Sequence, residues 1–197
     1  MLLSHPNPSV VMVPDMSNAA YHGDRDAVSS SGLKKMLISP LHFQDYLTSK
    51  HTETPALRVG TAIHAALLEP EVFKDTYVVA PVVDRRTKAG KALWEEFMAG
   101  VNGKSVVTEA ELSMIGNIAD QGKKHRMANA LLKAGKAEQS IFWTDEETGI
   151  RCKVRPDSLS PYAILDVKST ESAHRESFPR SCVKYNYGLS AAMYQEG

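Results

Sequence analysis

The chain reads as an α/β protein of the segregated, α+β kind, with helical segments as far as Gly135 and three strands in succession after it. Polar cap residues stand before helical runs at Ser29-Ser30-Ser31, Ser39 and Thr108. The stretch from Glu138 to Lys168 divides into strand-length pieces at Asp145–Gly149 and at Ser160–Pro161. A length of 197 residues with 43% apolar content supplies one core, with at most a small appended lobe.

In chain order, residues 1–28 hold Pro6, Pro8 and Pro14 among scattered polar residues and read as an extended arm. Ser29-Ser30-Ser31 offers an N-cap for a short helix through about Leu37, and Ser39 with Pro40 at the first helical position starts a second to about Leu47. A polar linker follows over Ser49–Thr54. Pro55 to Leu68 is a helix rich in small residues, stopped by Glu69-Pro70. Its spacing puts Gly60, Thr61, His64 and Leu68 on one face, where Gly60 permits close approach of a backbone or a ligand. On spacing alone such a histidine is more often a packed core or interface residue than a ligand.

Tyr77 to Val83 is apolar and β-branched, a strand. Asp84–Lys91 carries Arg85, Arg86, Lys88 and Lys91 in a loop or helix start, either a solvated stretch or a set of phosphate contacts. Lys91–Met98 is helical, Gly100–Lys104 turns, and Ser105–Val107 is a short strand. Thr108 and Glu111 form a capping box for a helix that runs to Gly135 and turns Leu112, Ile115, Ile118, Ala119, Gly122, Met127 and Leu131 mainly to one side. Lys123–Arg126 is a second basic cluster, which a solvated face accommodates. Glu138–Thr144, Ile150–Arg155 and Ala163–Lys168 form an antiparallel meander. A polar connection over Thr170–Pro179 leads to a helix, Arg180–Glu196, whose tyrosines read as packing residues.

Lys+Arg and Asp+Glu number 23 each, so the net charge is zero, which argues against a globally basic nucleic-acid binder but leaves room for a local basic channel. Cys152 and Cys182 are few and far apart, as expected of free thiols in a reducing cytoplasm. No apolar run approaches membrane-spanning length, and Met1–Met16 lacks a charged region followed by a clean apolar stretch, so neither a membrane partner nor a signal peptide is expected.

The chemistry concentrates in Arg155–Lys168. Ile164, Asp166 and Lys168 share one face of the second strand of a hairpin, and an unpaired charge on a core face costs several kcal/mol, about 2–7 for a polar group and more for an ion. If Asp157 lies across the hairpin from Asp166, two carboxylates converge and repel unless a cation sits between them. Hard oxygen ligands at that spacing suit Mg²⁺ or Mn²⁺, with Lys168 beside the metal. A surface hairpin with one Asp–Lys pair satisfies the same pattern.

Further motifs occur in order around this stretch: Ser30-Ser31-Gly32-Leu33-Lys34-Lys35 with Ser39-Pro40, Gly60-Thr61-Ala62-Ile63-His64 with Leu68-Glu69-Pro70, Glu138 with Phe142-Trp143-Thr144-Asp145, Arg155-Pro156-Asp157, and Leu165-Asp166-Val167-Lys168-Ser169-Thr170. Together they resemble the nuclease domains of the exonuclease VIII (RecE) family, in the RecB-like branch of the PD-(D/E)xK superfamily, over residues 29–197. The resemblance implies a restriction-endonuclease-like core, a central mixed sheet flanked by helices. It implies that Asp157, Asp166, the Val167 carbonyl and His64 hold Mg²⁺, for which Mn²⁺ substitutes, and that Glu138 supports a second metal or its water. Lys168 would orient the attacking water and stabilise charge on the phosphate. Arg85, Arg86, Lys88 and Tyr194 are expected DNA contacts.

The implied activity is hydrolysis of double-stranded DNA from its ends, 5′ to 3′, by a ring-shaped homo-oligomer that leaves single strands for an annealing partner of RecT type. The implied setting is a bacterial cytoplasm, with the gene bacterial or phage-borne. Two departures stand out. The branch carries Gln-x-x-x-Tyr on the helix after the catalytic strand, and here the frame is Ser190-Ala191-Ala192-Met193-Tyr194. The family core also ends in a closing strand, and the chain stops at Gly197 before one, so the domain reads as C-terminally truncated, with a catalytically impaired DNA-end-binding or co-assembling relative as the alternative.

Overall fold

The computed structural model describes residues 10–49, 54–170 and 172–197; Pro6, Pro8 and most of the polar linker before Pro55 lie outside the described residues. In chain order the elements are β1 (Val11–Val13), α1 (Asn18–Gly23), α2 (Ser30–Met36), α3 (Pro40–Thr48), α4 (Pro55–Leu68), α5 (Pro70–Thr76), β2 (Tyr77–Val79), α6 (Lys88–Gly100) and β3 (Ser105–Val107). They continue with α7 (Glu109–Lys124), α8 (Arg126–Ala134), β4 (Lys136–Ala137), β5 (Ser140–Thr144), β6 (Arg151–Val154), β7 (Ser158–Leu159), β8 (Ile164–Leu165), α9 (Phe178–Lys184) and α10 (Tyr187–Glu196). The chain divides into two compact units, Met1–His51 with Gly135–Gly197, and Thr52–Ala134.

The first unit is built on β5, which is buried on both faces. Ile141 and Trp143 pack with Val154 and Met193, while Phe142 faces Tyr21 and Ala27. β5 pairs antiparallel with β1 and β6. The expected extended arm is corrected here, because residues 10–28 carry a strand and a helix. Ser17 caps α1 by accepting the Ala20 N–H, and Tyr21 is buried. Val28 bridges to β6, donating to the Arg151 carbonyl and accepting from Lys153 N, each at 2.8 Å.

The physical reason lies in β6. Lys153 is 4% exposed, and its ammonium donates to the carbonyls of Tyr21, at 2.6 Å, and of Asp24. The Arg155 guanidinium donates to the Met16 carbonyl and the Ser140 hydroxyl, both at 2.6 Å. Buried cations need acceptors, and the N-terminal segment supplies them.

The expected single meander is also corrected. Among the described residues the strands of the first unit form two sheets, β1-β5-β6 and β4-β7-β8, the latter antiparallel throughout. Two backbone features divide them. Pro156 follows β6 with no N–H to continue the ladder, and Glu138 sits at φ 51, turning the chain between β4 and β5. The helix expected over Arg180–Glu196 is likewise two helices, α9 and α10, separated at Asn186, which adopts the left-handed conformation at φ 49, ψ 49. Asn tolerates that conformation better than most residues.

In the second unit, α4 packs on α7, with Ala62, Ile63 and Ala66 against Val107, Ile115 and Ala119. Small residues allow the close approach; a Cβ at Gly122 would lie 2.8 Å from Leu67 Cδ2. The capping box is present, and Glu111 also accepts from Arg58 at 2.6 Å. These hydrogen bonds, first that from the Thr108 backbone and then that from Arg58, hold the Glu111 carboxyl below the usual range. β2 pairs parallel with β3 and is shorter than the expected strand. α5, opened by Pro70 at its first turn, has too few residues to show a periodicity.

The long helix expected from Thr108 to Gly135 ends at His125, whose Nδ1 accepts the Ala128 N–H at 3.2 Å and so caps α8. Of the residues expected mainly on one side, Ile118 is 40% and Met127 61% exposed.

Lys153→Met keeps the apolar stem but removes the donor to two carbonyls. A loss of about 2 kcal/mol in unfolding free energy is expected by urea denaturation, and unchanged stability would contradict this anchoring role.

Candidate active site

In the β7–β8 hairpin Ser158 pairs with Leu165 and Leu159 with Ile164. One step further out in the same register, Asp157 stands opposite Asp166. Regular pairing stops there, shorter than the strand expected to Lys168. The Asp157 carboxylate explains this, because its Oδ2 accepts the Val167 N–H at 2.5 Å in place of a backbone carbonyl. Behind the hairpin, a Cβ at Gly135 would meet Ser158 Oγ at 2.1 Å and the Leu159 carbonyl at 3.0 Å, so only glycine lets the chain entering β4 pass this close to β7.

Asp166 is held from two sides. Lys168 Nζ donates to its Oδ1 at 2.5 Å, and the Tyr194 hydroxyl donates to the same oxygen at 3.2 Å. Burial, reinforced by the charges of Asp166 and Asp157, raises the Tyr194 phenol far above its usual range, so it remains a donor. Tyr194, expected as a DNA contact, therefore gives its hydroxyl to Asp166. Lys168 Nζ also lies 3.4 Å from the Val167 carbonyl.

The Ser190 substitution acts elsewhere. Its side chain is 3% exposed and its hydroxyl donates to Ser30 Oγ at 3.4 Å, joining α10 to α2. Orientation of the carboxylate comes from Tyr194 instead.

Glu138 was expected to project toward the carboxylate pair. Its backbone does approach, with its N–H donating to the Asp157 carbonyl at 3.2 Å, while its carboxylate lies 3.9 Å from the Arg155 guanidinium. The left-handed turn at Glu138 produces this division.

His64, Arg85, Arg86 and Lys88 belong to the second unit. The His64 Nδ1 lies 3.0 Å from the Gly60 carbonyl, which can only accept, so in the neutral ring Nδ1 carries the hydrogen and Nε2 the lone pair. Imidazoles that bind metal commonly show this state. Arg85 sits over the Trp94 ring at 4.6 Å, and Arg86 pairs with Asp84 at 3.1 Å. Lys88 is the first residue of α6, after the Thr87 cap.

Lys34 and Tyr187 are brought to this site without having been singled out by spacing. The ammonium groups of Lys34 and Lys168 lie 5.7 Å and 5.5 Å from the centre of the Tyr187 ring. The only sequence signal for Lys34 is its place in the Ser30–Lys35 motif.

Among the described residues no three His, Cys, Asp or Glu side chains gather into a cation cage. The donors at this end of the hairpin, carboxylates at opposing register positions and a backbone carbonyl, are hard oxygens, and this donor chemistry fits a divalent cation.

Facing carboxylates followed by Lys168, on a mixed α+β scaffold, define a protein of the PD-(D/E)xK class. Residues 29–197 match the family described as a PDDEXK-like domain of unknown function (DUF3799), and the chain belongs to that family. Its fold is thus of nuclease type. No curated protein matches the chain significantly.

Asp157→Asn keeps an acceptor for the Val167 N–H while removing one of two like charges. In EDTA at neutral pH this variant is expected to gain about 1 kcal/mol in unfolding free energy, read by chemical denaturation. A destabilised variant would show that the carboxylates do not strain the metal-free hairpin.

Proposed function

We propose that this protein is a Mg²⁺-dependent exodeoxyribonuclease of RecE type, for which Mn²⁺ substitutes. It hydrolyses double-stranded DNA from its ends, 5′ to 3′, and leaves single strands for an annealing partner of RecT type. The carrying observation is Asp157 facing Asp166, with Lys168 hydrogen-bonded to the second carboxylate. A homo-oligomeric ring and a bacterial cytoplasmic setting, with the gene bacterial or phage-borne, complete the proposal.

Asp157, Asp166 and the Val167 carbonyl would hold the divalent cation. When bound, it supplies Lewis acidity toward a phosphodiester oxygen and lowers the cost of its developing negative charge. The protein's own groups account for the rest. Tyr194 fixes one oxygen of Asp166, so the second carboxylate is positioned before substrate arrives. The Asp157 bond to Val167 N–H holds the Asp166–Val167 peptide, immediately before the peptide that carries the Val167 carbonyl. Lys168 brings an ammonium within reach of both Asp166 and that carbonyl, where it orients the attacking water and balances charge gathering on the phosphate.

End-labelled linear duplex DNA with Mg²⁺ or with EDTA, beside a covalently closed circle, tests this reading. Loss of label from the linear substrate with Mg²⁺ alone, and an intact circle, are expected. Lys168→Ala and Asp166→Ala are each expected to slow digestion about 100-fold or more. Digestion by Asp166→Ala at the unmutated rate would overturn the site, and cutting of the closed circle would make the enzyme an endonuclease.

A further inference from the structure

Between α9 and α10 the left-handed Asn186 does more than end a helix. Residues two apart on a continuous helix point to opposite sides. Across Asn186, however, the rings of Tyr185 and Tyr187 stack, with centroids 5.9 Å apart and planes at 23°. Phe178 backs Tyr187 at 6.4 Å. Tyr185 remains 50% exposed, so the stack presents an open aromatic surface.

Three ammonium groups surround this stack. Lys184 lies 5.2 Å from the Tyr185 ring centre, and Lys34 and Lys168 both face Tyr187. Lys168 is paired with Asp166. Lys34 is half-buried, and among the described residues its ammonium makes no hydrogen bond to a carboxylate or carbonyl. Burial first, and then the like charge of Lys168, lower its pKa, against the attraction of Asp166. An aromatic face stabilises a cation only weakly and leaves the ammonium able to take an anion as its partner. Single-stranded nucleic acid offers both complements at once, a flat base for the rings and a phosphate for the ammonium.

We propose that the Tyr185–Tyr187 stack is a nucleobase platform and that Lys34 holds the phosphate of the nucleotide seated on it, beside the phosphodiester addressed by Asp166 and Lys168. The proposal rests on the nuclease reading for the identity of the ligand, DNA, and adds that the bound end is frayed, with at least one base out of its pair.

The test is the salt dependence of binding between the full chain and a fluorescein-labelled duplex bearing a single-stranded overhang. It is read by anisotropy in EDTA, with digestion in Mg²⁺ measured in parallel. Tyr185→Ala, on a half-exposed ring, is expected to weaken binding about tenfold. Lys34→Met keeps the stem against Tyr187 and is expected to reduce the slope of log affinity against log salt by about one, with Lys34→Arg restoring it. Unchanged affinity and slope in Tyr185→Ala and Lys34→Met, while the unmutated chain digests DNA, would overturn the platform and leave the nuclease reading standing. An unmutated chain that neither binds nor digests DNA would overturn both.

Discussion

Two carboxylates held opposite each other on a hairpin are the constraint to which the rest of this unit responds. Asp157 and Asp166 share a register position one step beyond the last regular pair of β7 and β8. Left alone, such a pair raises the free energy of its own fold. Three groups offset this: the Val167 N–H on Asp157, and the Lys168 ammonium and Tyr194 hydroxyl on Asp166. Each of the three gives a carboxylate oxygen a hydrogen bond, and hard carboxylate oxygens are the ligands a divalent cation takes.

Rigidity behind the hairpin comes from an unexpected place. Residues 10–28 precede the family match, which begins at residue 29, yet they flank the β5–β6 pair on both sides, through β1 on β5 and Val28 on β6. The cations of β6 hold them there. Lys153 binds the carbonyls of Tyr21 and Asp24, and Arg155 binds that of Met16. Arg155 also approaches Glu138, whose N–H meets the Asp157 carbonyl, so a chain of contacts runs from the N-terminal segment to the carboxylate pair. Ser190 belongs to the same supporting layer, joining α10, which carries Tyr194, to α2, which carries Lys34.

What the sequence makes legible is what local chemistry decides. α2 and α3 begin after Ser29 and Ser39 because their side chains accept an N–H from the first helical turn. The capping box at Thr108 is equally local. The facing of Asp157 and Asp166 is legible because a short hairpin fixes register. Helix interiors that end without glycine or proline are not. His125 caps a helix with an imidazole, and Asn186 turns left-handed, neither of which periodicity registers. The split into two sheets depends on pairing between Gly135-proximal β4 and β7, a non-local choice that no window of sequence contains. Lys34 and Tyr187 escape notice for the same reason, since α2 and α10 are far apart in the chain. The strand and helix within residues 10–28 leave no such signal, because their acceptors are backbone carbonyls, which every residue has, and it is the buried Lys153 and Arg155 that give them a role.

Calorimetric titration of Mn²⁺ into the unmutated chain and into Asp157→Asn tests the central assignment most directly. Heat of binding from the unmutated chain, abolished or weakened at least tenfold in Asp157→Asn while that variant stays folded, is the expected result. Equal Mn²⁺ affinity in the two proteins would contradict it, because the carboxylates that face each other across the hairpin would then have no part in holding the cation.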